Sequence, residues 1–361
     1  MYPVASASDS INIPCRSIGL HMTSKILKYF VLITAIYLWL QAYSPIIYKS
    51  SQLFPDDYRY GDLYHLSYLP QFKETLPICK PDKITNKVQN VNLFVIGDSF
   101  TEEQRVTKND IIAATYTNIH WSKQTHIQLD TTKKNILILE TVERTFKDHF
   151  LVEVNNFKLN KNTQKEEIAK SWKKVLKEKI QEVVVFIFPE KDSIEQRFEA
   201  SLFSYDFFLK FRELKALINH QIFGRVEKKV ILSRDKNHLF FSEEALSSDS
   251  HSAFYPFLDI EKDNLIININ SIRKKFLKAG FDEVYLSIIP NKVSVISPDL
   301  GDYNNLIQRV QNSPKLEAPI IDVYSEFKKN PTKYYLKSDS HWTCEGRNIW
   351  LNKVNKIVLN P

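Results

Sequence analysis

A series of short, unbroken apolar runs constrains this chain more than any other feature. They fall at 91–96 (VNLFVI), 135–140 (NILILE), 182–189 (EVVVFIFP), 229–233 (KVILS), 283–290 (EVYLSIIP) and 318–323 (APIIDV). Runs of strand length that lack the apolar–polar alternation of a half-exposed strand predict strands covered on both faces, as in a parallel sheet. Within 264–279, Leu265, Ile269, Ile272, Phe276 and Ala279 recur at steps of three and four, which lines one face of a helix, and Gly280 supplies its stop. Strands separated by helical stretches predict an α/β layered domain with an open, mainly parallel sheet. No period of 20–50 residues recurs, which excludes a repeat array.

Composition narrows the function classes. The 361 residues are enough for one or two domains with a sizeable core. The formal net charge of +7 is spread along the chain without a dense basic tract, which argues against a dedicated nucleic-acid binder. There are 7 glycines and no G-x-G-x-x-G or Walker sequence, so no glycine-rich phosphate loop is expected. The 3 cysteines (Cys15, Cys79 and Cys344) have no zinc-ribbon spacing.

Residues 29–48 contain no charge. A helix of that length, at ~1.5 Å rise per residue, spans roughly one hydrocarbon core of about 30 Å. Arg16, Lys25 and Lys28 precede it, and the first charges after Lys49 are Asp56 and Asp57. The asymmetry predicts a cytoplasmic segment at 1–28, a membrane anchor or signal peptide at 29–48, and the remainder outside. A buried core helix is a third reading of the same residues. Residues 49–88 read as an irregular lead-in and 89–361 as the main domain, with a charged helical insertion at about 151–228. Cys79 and Cys344 are then the exported thiols, and either a bridge or two separate buried thiols fits them.

Three constellations carry chemistry. Gly97-Asp98-Ser99-Phe100 directly follows the first run. A serine at the carboxyl end of a strand stands at the sheet edge where open α/β proteins bind ligands, and its amide faces the same way as an oxyanion donor. The bland alternative is a strand-to-helix turn with serine as N-cap. Asp339-Ser340-His341-Trp342 places Asp339 and His341 two residues apart, on one side of an extended stretch, where the carboxylate fixes the imidazole tautomer. A surface histidine with an incidental acid is the alternative. Glu140-Thr141-Val142-Glu143-Arg144 closes the second run, and its arginine either offers donors to an acyl oxygen or forms a structural Glu–Arg pair.

A serine after an early strand and an Asp–His near the carboxyl terminus is the chain order of SGNH hydrolases. GDSF (97–100) resembles their first block and DSHW (339–342) their last, in the D-x-H-W form of the DHHW proteins and the alginate O-acetyltransferase AlgX/AlgJ-type domains. SRDKNHLFFSEEAL (233–246) is similar to the dG-W-LF strand of that group, LSIIPNKVSVISPDL (286–300) to its P-x-K stretch, and YYLKSDSHWTCEGRNIW (334–350) to its YYktDtHW stretch. ILETVER (138–144) resembles an E-x-v-E-R of related acyltransferase-like proteins. The likeness covers about 90–145 and 230–350. Two features depart from it: the chain lacks the G-x-N-D block, for whose asparagine Arg144 is the candidate substitute, and GDSF precedes DSHW, whereas AlgX/AlgJ domains carry D-x-H-W first.

The resemblance implies an SGNH-hydrolase-like (flavodoxin-like) three-layer sandwich preceded by a transmembrane helix. It implies an exported O-acetyltransferase acting on a cell-envelope or secreted polysaccharide, with a carbohydrate acetylesterase or a non-catalytic glycan-binding scaffold as alternatives. Ser99 would be nucleophile, His341 general base and Asp339 its orienter, with Arg144, Glu143, Asn291 and Trp342 as oxyanion or substrate contacts. The expected partners are the polysaccharide, the membrane and a membrane-bound acyl carrier or acyltransferase. No cofactor or metal is expected. A site assembled from Asp249, His251, Asp339 and His341 has no H-x-x-x-H or H-E-x-x-H spacing behind it.

Overall fold

The computed structural model describes residues 18–44, 46–48, 59–80, 84, 87–159, 194–195, 197–198 and 206–360. The chain divides into two compact units, Met1–Asp56 with Ile168–Leu209 and Asp57–Glu167 with Lys210–Pro361. In the first, helix α1 (Ile18–Tyr43) contains a stretch, Lys25–Tyr43, that is long and apolar enough to cross a membrane by length and composition. Its side chains are largely uncovered, with Ile26, Leu32 and Ile33 each more than half exposed. The helix takes in Lys25 and Lys28 and ends at Tyr43, earlier than the sequence pattern placed it. Proline at 45 accounts for the early end, because its ring disfavours helical backbone in the residue before it.

The second unit is built on strands β1 (Val88–Gly97), β2 (Ala113–His120), β3 (Thr125–Ile127), β4 (Lys134–Val142), β5 (Phe157–Leu159), β6 (Val230–Leu232), β7 (Leu239–Phe241) and β8 (Glu283–Ile289). β2, β1, β4 and β8 form, in that order, one sheet in which every pair is parallel. Residues 91–97 and 135–142 are buried without interruption, so both faces of the central strands are covered. Their apolar side chains are each worth roughly 1.5–3 kcal/mol when fully buried.

Further helices include α2 (Asp62–Ser67), α3 (Phe146–Leu151), α4 (Asp206–Phe223, whose first four residues are counted with the first unit), α5 (Asp259–Lys278), α6 (Lys292–Ile296) and α7 (Cys344–Leu359). α5 supplies Leu265, Ile269, Ile272 and Phe276 to the core, and α7 supplies Trp350, Leu351, Val354 and Val358. α5 starts five residues before the predicted span because Glu261 reaches back to accept the Leu258 amide at 2.9 Å, and it ends at Lys278, with Gly280 just beyond it at a φ of 108° that suits glycine. Trp350 is fully buried and donates its indole N–H to Ser287 on β8 at 3.1 Å.

Several expectations need correction. β2 was not anticipated. The run at 229–233 forms β6, which pairs antiparallel with β7 instead of joining the main sheet. The run at 318–323 makes only a single parallel bridge, Ile320 to Leu286, because Pro319 has no N–H and helix begins again at Tyr324. The run at 182–189 and most of the insertion at 151–228 lie outside the described residues; the described part of that stretch includes α4. The lead-in carries α2, and its part from Asp57 onward belongs to the same unit as the sheet. Cys79 and Cys344 are bridged by a disulfide.

This topology fixes where chemistry can occur. β1 lies between β2 on one side and β4 on the other, so strand order reverses at the β1/β4 boundary. Ligands of open α/β sheets bind outside the carboxyl ends of the strands at such a switch point. Ser99 follows β1, Glu143 and Arg144 follow β4, and Asn291 follows β8.

Candidate active site

Gly97 makes the turn after β1. A Cβ there would lie 2.1 Å from Thr101 Oγ1 and 2.6 Å from Glu140 Oε2, so only glycine leaves room for the carboxylate. Glu140 Oε2 accepts the Asp98 amide at 2.9 Å and the Thr101 hydroxyl at 3.0 Å. Asp98 in turn accepts the Phe100 amide through Oδ1 (3.0 Å) and the Val142 amide through Oδ2 (2.9 Å), which ties the end of β1 to the end of β4. Burial pushes the carboxyls of both Asp98 and Glu140 up, and for Glu140 the neighbouring Asp98 adds to it. These two acids hold the turn that presents Ser99.

Ser99 Oγ lies 2.8 Å from His341 Nε2. His341 Nδ1 lies 2.6 Å from Asp339 Oδ1, and the same oxygen accepts the His341 amide at 2.8 Å. Two stretches 242 positions apart are thus joined in one hydrogen-bonded row. Burial pushes the Asp339 carboxyl up, but the hydrogen bonds and positive charge of His341 outweigh it and hold Asp339 well below the usual carboxylate range. The imidazole packs on Phe100, with ring centroids 4.7 Å apart. Thr343 closes the loop by capping α7, its Oγ1 accepting the Gly346 amide at 3.2 Å.

The remaining expected residues take other places. Trp342 is 4% exposed and packs edge-on against Phe100, beside Trp350; it belongs to the core and offers no face to a sugar. Glu143 is buried, and its oxygens accept the Asn291 amide (2.9 Å), the Ser294 hydroxyl (2.5 Å) and the Tyr303 hydroxyl (2.9 Å). Burial pushes its carboxyl up to about 7. It braces the end of β8 instead of pointing to a ligand. Arg144 Nη1 is held at 2.5 Å by Glu244, a partner 100 residues away, and not by a neighbouring acid. Its amide donates to Asn291 Oδ1 at 3.0 Å. Asn291 Nδ2 is buried with no hydrogen-bond partner among the described residues, a donor suited to an incoming oxygen.

Two charged residues of the site were not foreseen. Asp62, from the lead-in, bonds Ser340, and the buried ammonium of Lys292 donates to the carbonyls of Lys337 (2.9 Å) and Asp339 (3.2 Å). Burial pushes Lys292 down to about 7. Burial and the charge of Asp339 push Asp62 up. The P-N-K sequence at 290–292 was a legible signal for Lys292; nothing local marked Asp62. Asp62, Asp339 and His341 bring one ligand atom each within 4.8 Å of one another, the geometry a cation would need. Those atoms are already engaged with Ser340 and with each other. Asp249 and His251 form a separate cluster with Asp148.

The fold and site define an α/β protein with a hydrogen-bonded serine, histidine and aspartate at the switch point of a parallel sheet. No family model and no solved structure matches the chain. Among curated proteins, a probable alginate O-acetylase AlgJ of Pseudomonas fluorescens is 24% identical over 160 residues, covering 41% of this chain and 38% of that protein. The match thus spans about two fifths of the relative's length, and it supports an AlgJ-like relationship.

Proposed function

We propose that this chain is an O-acetyltransferase of SGNH type that places acetyl groups on hydroxyls of a cell-envelope or secreted polysaccharide. The observation that carries the reading is the unbroken row Ser99–His341–Asp339, at 2.8 and 2.6 Å. His341 Nε2 takes the Ser99 proton as Oγ attacks the acetyl carbonyl, and Asp339 holds the ring in the required tautomer and stabilises the imidazolium. Collapse of the tetrahedral intermediate expels the donor alcohol, which takes the proton back from His341, and leaves acetyl-Ser99. A sugar hydroxyl then gives its proton to His341 and attacks the acetyl-serine, and collapse returns that proton to Ser99. The Ser99 amide, Asn291 Nδ2 and Arg144 are the donors on this edge suited to the oxyanion, a role worth about 3–4 kcal/mol per donor in hydrolases.

The relative's name supports transfer to a polysaccharide; an esterase shares the first half-reaction and uses water as acceptor. In this reading α1 anchors the enzyme in a membrane, the site faces the exterior, and a membrane-bound acyl carrier or acyltransferase supplies the acetyl group. The test is turnover of p-nitrophenyl acetate by the full chain in detergent, with mass analysis of the Ser99 peptide. Ser99→Ala is expected to reduce turnover about a hundredfold or more and to abolish the acetylated peptide. Equal rates in the variant overturn the assignment.

A further inference from the structure

The loop that carries Asp339 and His341 is gripped by a residue 277 positions away. Asp62 Oδ1 accepts the Ser340 amide at 2.8 Å and the Leu63 amide at 2.6 Å, and its Oδ2 accepts the Ser340 hydroxyl. Three donors converging on it suit an ionised carboxylate. The Asp62 amide donates to Asp339 Oδ2 at 3.0 Å, which leaves Asp339 Oδ1 for His341. Asp62 Oδ2 itself lies 3.8 Å from His341 Nδ1. The backbone around it is fitted to the same loop: Tyr64 N donates to the Ser338 carbonyl at 2.9 Å, and a Cβ on Gly61 would stand 2.3 Å from that oxygen.

Building on the relay proposed for Ser99, His341 and Asp339, we propose that Asp62 is its positioning residue. It fixes the loop through Ser340 and sets a second negative charge behind His341 Nδ1, so that Nε2 stays aligned with Ser99. Other charges bear on this group. Lys292 and Glu244 act on Asp62 electrostatically, and Asp98 acts on His341. All three are unchanged in the Asp62 variants.

The experiment uses the full chain in detergent, labelled with 15N-histidine, with the His341 signal assigned by its loss in His341→Asn. Asp62→Asn keeps an acceptor for the Ser340 amide and removes the charge; Asp62→Ala removes both. On p-nitrophenyl acetate, Asp62→Ala is expected to lower kcat about 10–100-fold with KM within about twofold. Asp62→Asn is expected to recover most of kcat, while the acidic limb of kcat/KM and the His341 titration both move to lower pH. A kcat for Asp62→Ala within twofold of the native protein, or a His341 titration that Asp62→Asn leaves in place, overturns the proposal. If Asp62→Ala does not fold, the nearly isosteric asparagine variant decides alone. Should the native protein show no Ser99-dependent turnover, the acetyl-transfer reading fails by itself, and the His341 titration still decides the role of Asp62.

Discussion

Two stretches of this chain read Asp-Ser-His, 249–251 and 339–341, and locally they fold alike. In each, the histidine amide donates to Oδ1 of the aspartate two residues back, at 2.9 and 2.8 Å. The same oxygen meets the ring Nδ1, at 2.9 and 2.6 Å. The difference lies at Nε2. His251, with its side chain 38% exposed, meets the Asp148 carboxylate at 3.1 Å; His341, 10% exposed, meets the Ser99 hydroxyl at 2.8 Å. Partial burial pulls the His251 pKa down, but the hydrogen bonds its ring donates to Asp249 and Asp148 outweigh it and raise it overall, which favours a surface ion pair. A hydroxyl facing Nε2 offers a proton to remove. The D-x-H turn is therefore a local shape, and long-range packing against Nε2 decides what it does.

Removing each histidine tests that contrast most severely. His341→Ala is expected to lower kcat/KM on an acetyl ester about a thousandfold or more, and His251→Ala to leave it within about twofold. A comparable loss in both variants would mean that the surface motif reaches the reaction and that the comparison is misdrawn.

The second contrast is covalent. The 339–341 loop runs into α7, whose first residue, Cys344, is bridged to Cys79 of the lead-in; the 249–251 loop has no such link among the described residues. The bridge spans 265 positions, and removing a disulfide typically costs about 2–4 kcal/mol. Cys79→Ser with Cys344→Ser is expected to lower the midpoint of thermal unfolding by several degrees and to match the native protein treated with a reductant. Ester turnover below that midpoint should fall as well, because Asp62 and Cys79 belong to one segment that holds the site loop. An unchanged midpoint would show that packing alone holds the loop.

These contrasts also mark what a single sequence discloses. β1, β4 and β8 were legible because their central residues are buried on both faces and so form unbroken apolar runs. β2 (AATYTNIH) was not, because it pairs on one edge only and most of its side chains are partly exposed, so threonine and asparagine interrupt the pattern. Ser99, Asp339 and His341 were legible because each sits in a short local motif. Asp62 and Glu244 were not: each acts on a group 100 or more positions away, and no local periodicity reports a contact of that kind. Trp342 and Glu143 were placed on the correct loops, but the chosen role depended on the direction of a side chain, which spacing does not give.

The smallest expected effect is a pair of opposite pH dependences. Asp339 has a folded pKa below its unfolded value near 3.8, so its stabilisation is complete above that pH and is lost as the pH falls through the lower folded value. His251 has a folded pKa above its unfolded value near 6.5, so its stabilisation is present below 6.5 and is lost as the pH rises through the folded value. The stability gap between native protein and Asp339→Asn should therefore narrow as the solution is acidified below about pH 4. The gap for His251→Asn should close on the alkaline side. At pH 5.5 it should amount to no more than a degree or two in the unfolding midpoint, because exposed ion pairs are worth roughly 1 kcal/mol or less. A His251→Asn gap that widened with rising pH would require a neutral imidazole in the surface motif, and the ion pair drawn there with Asp148 and Asp249 would be wrong.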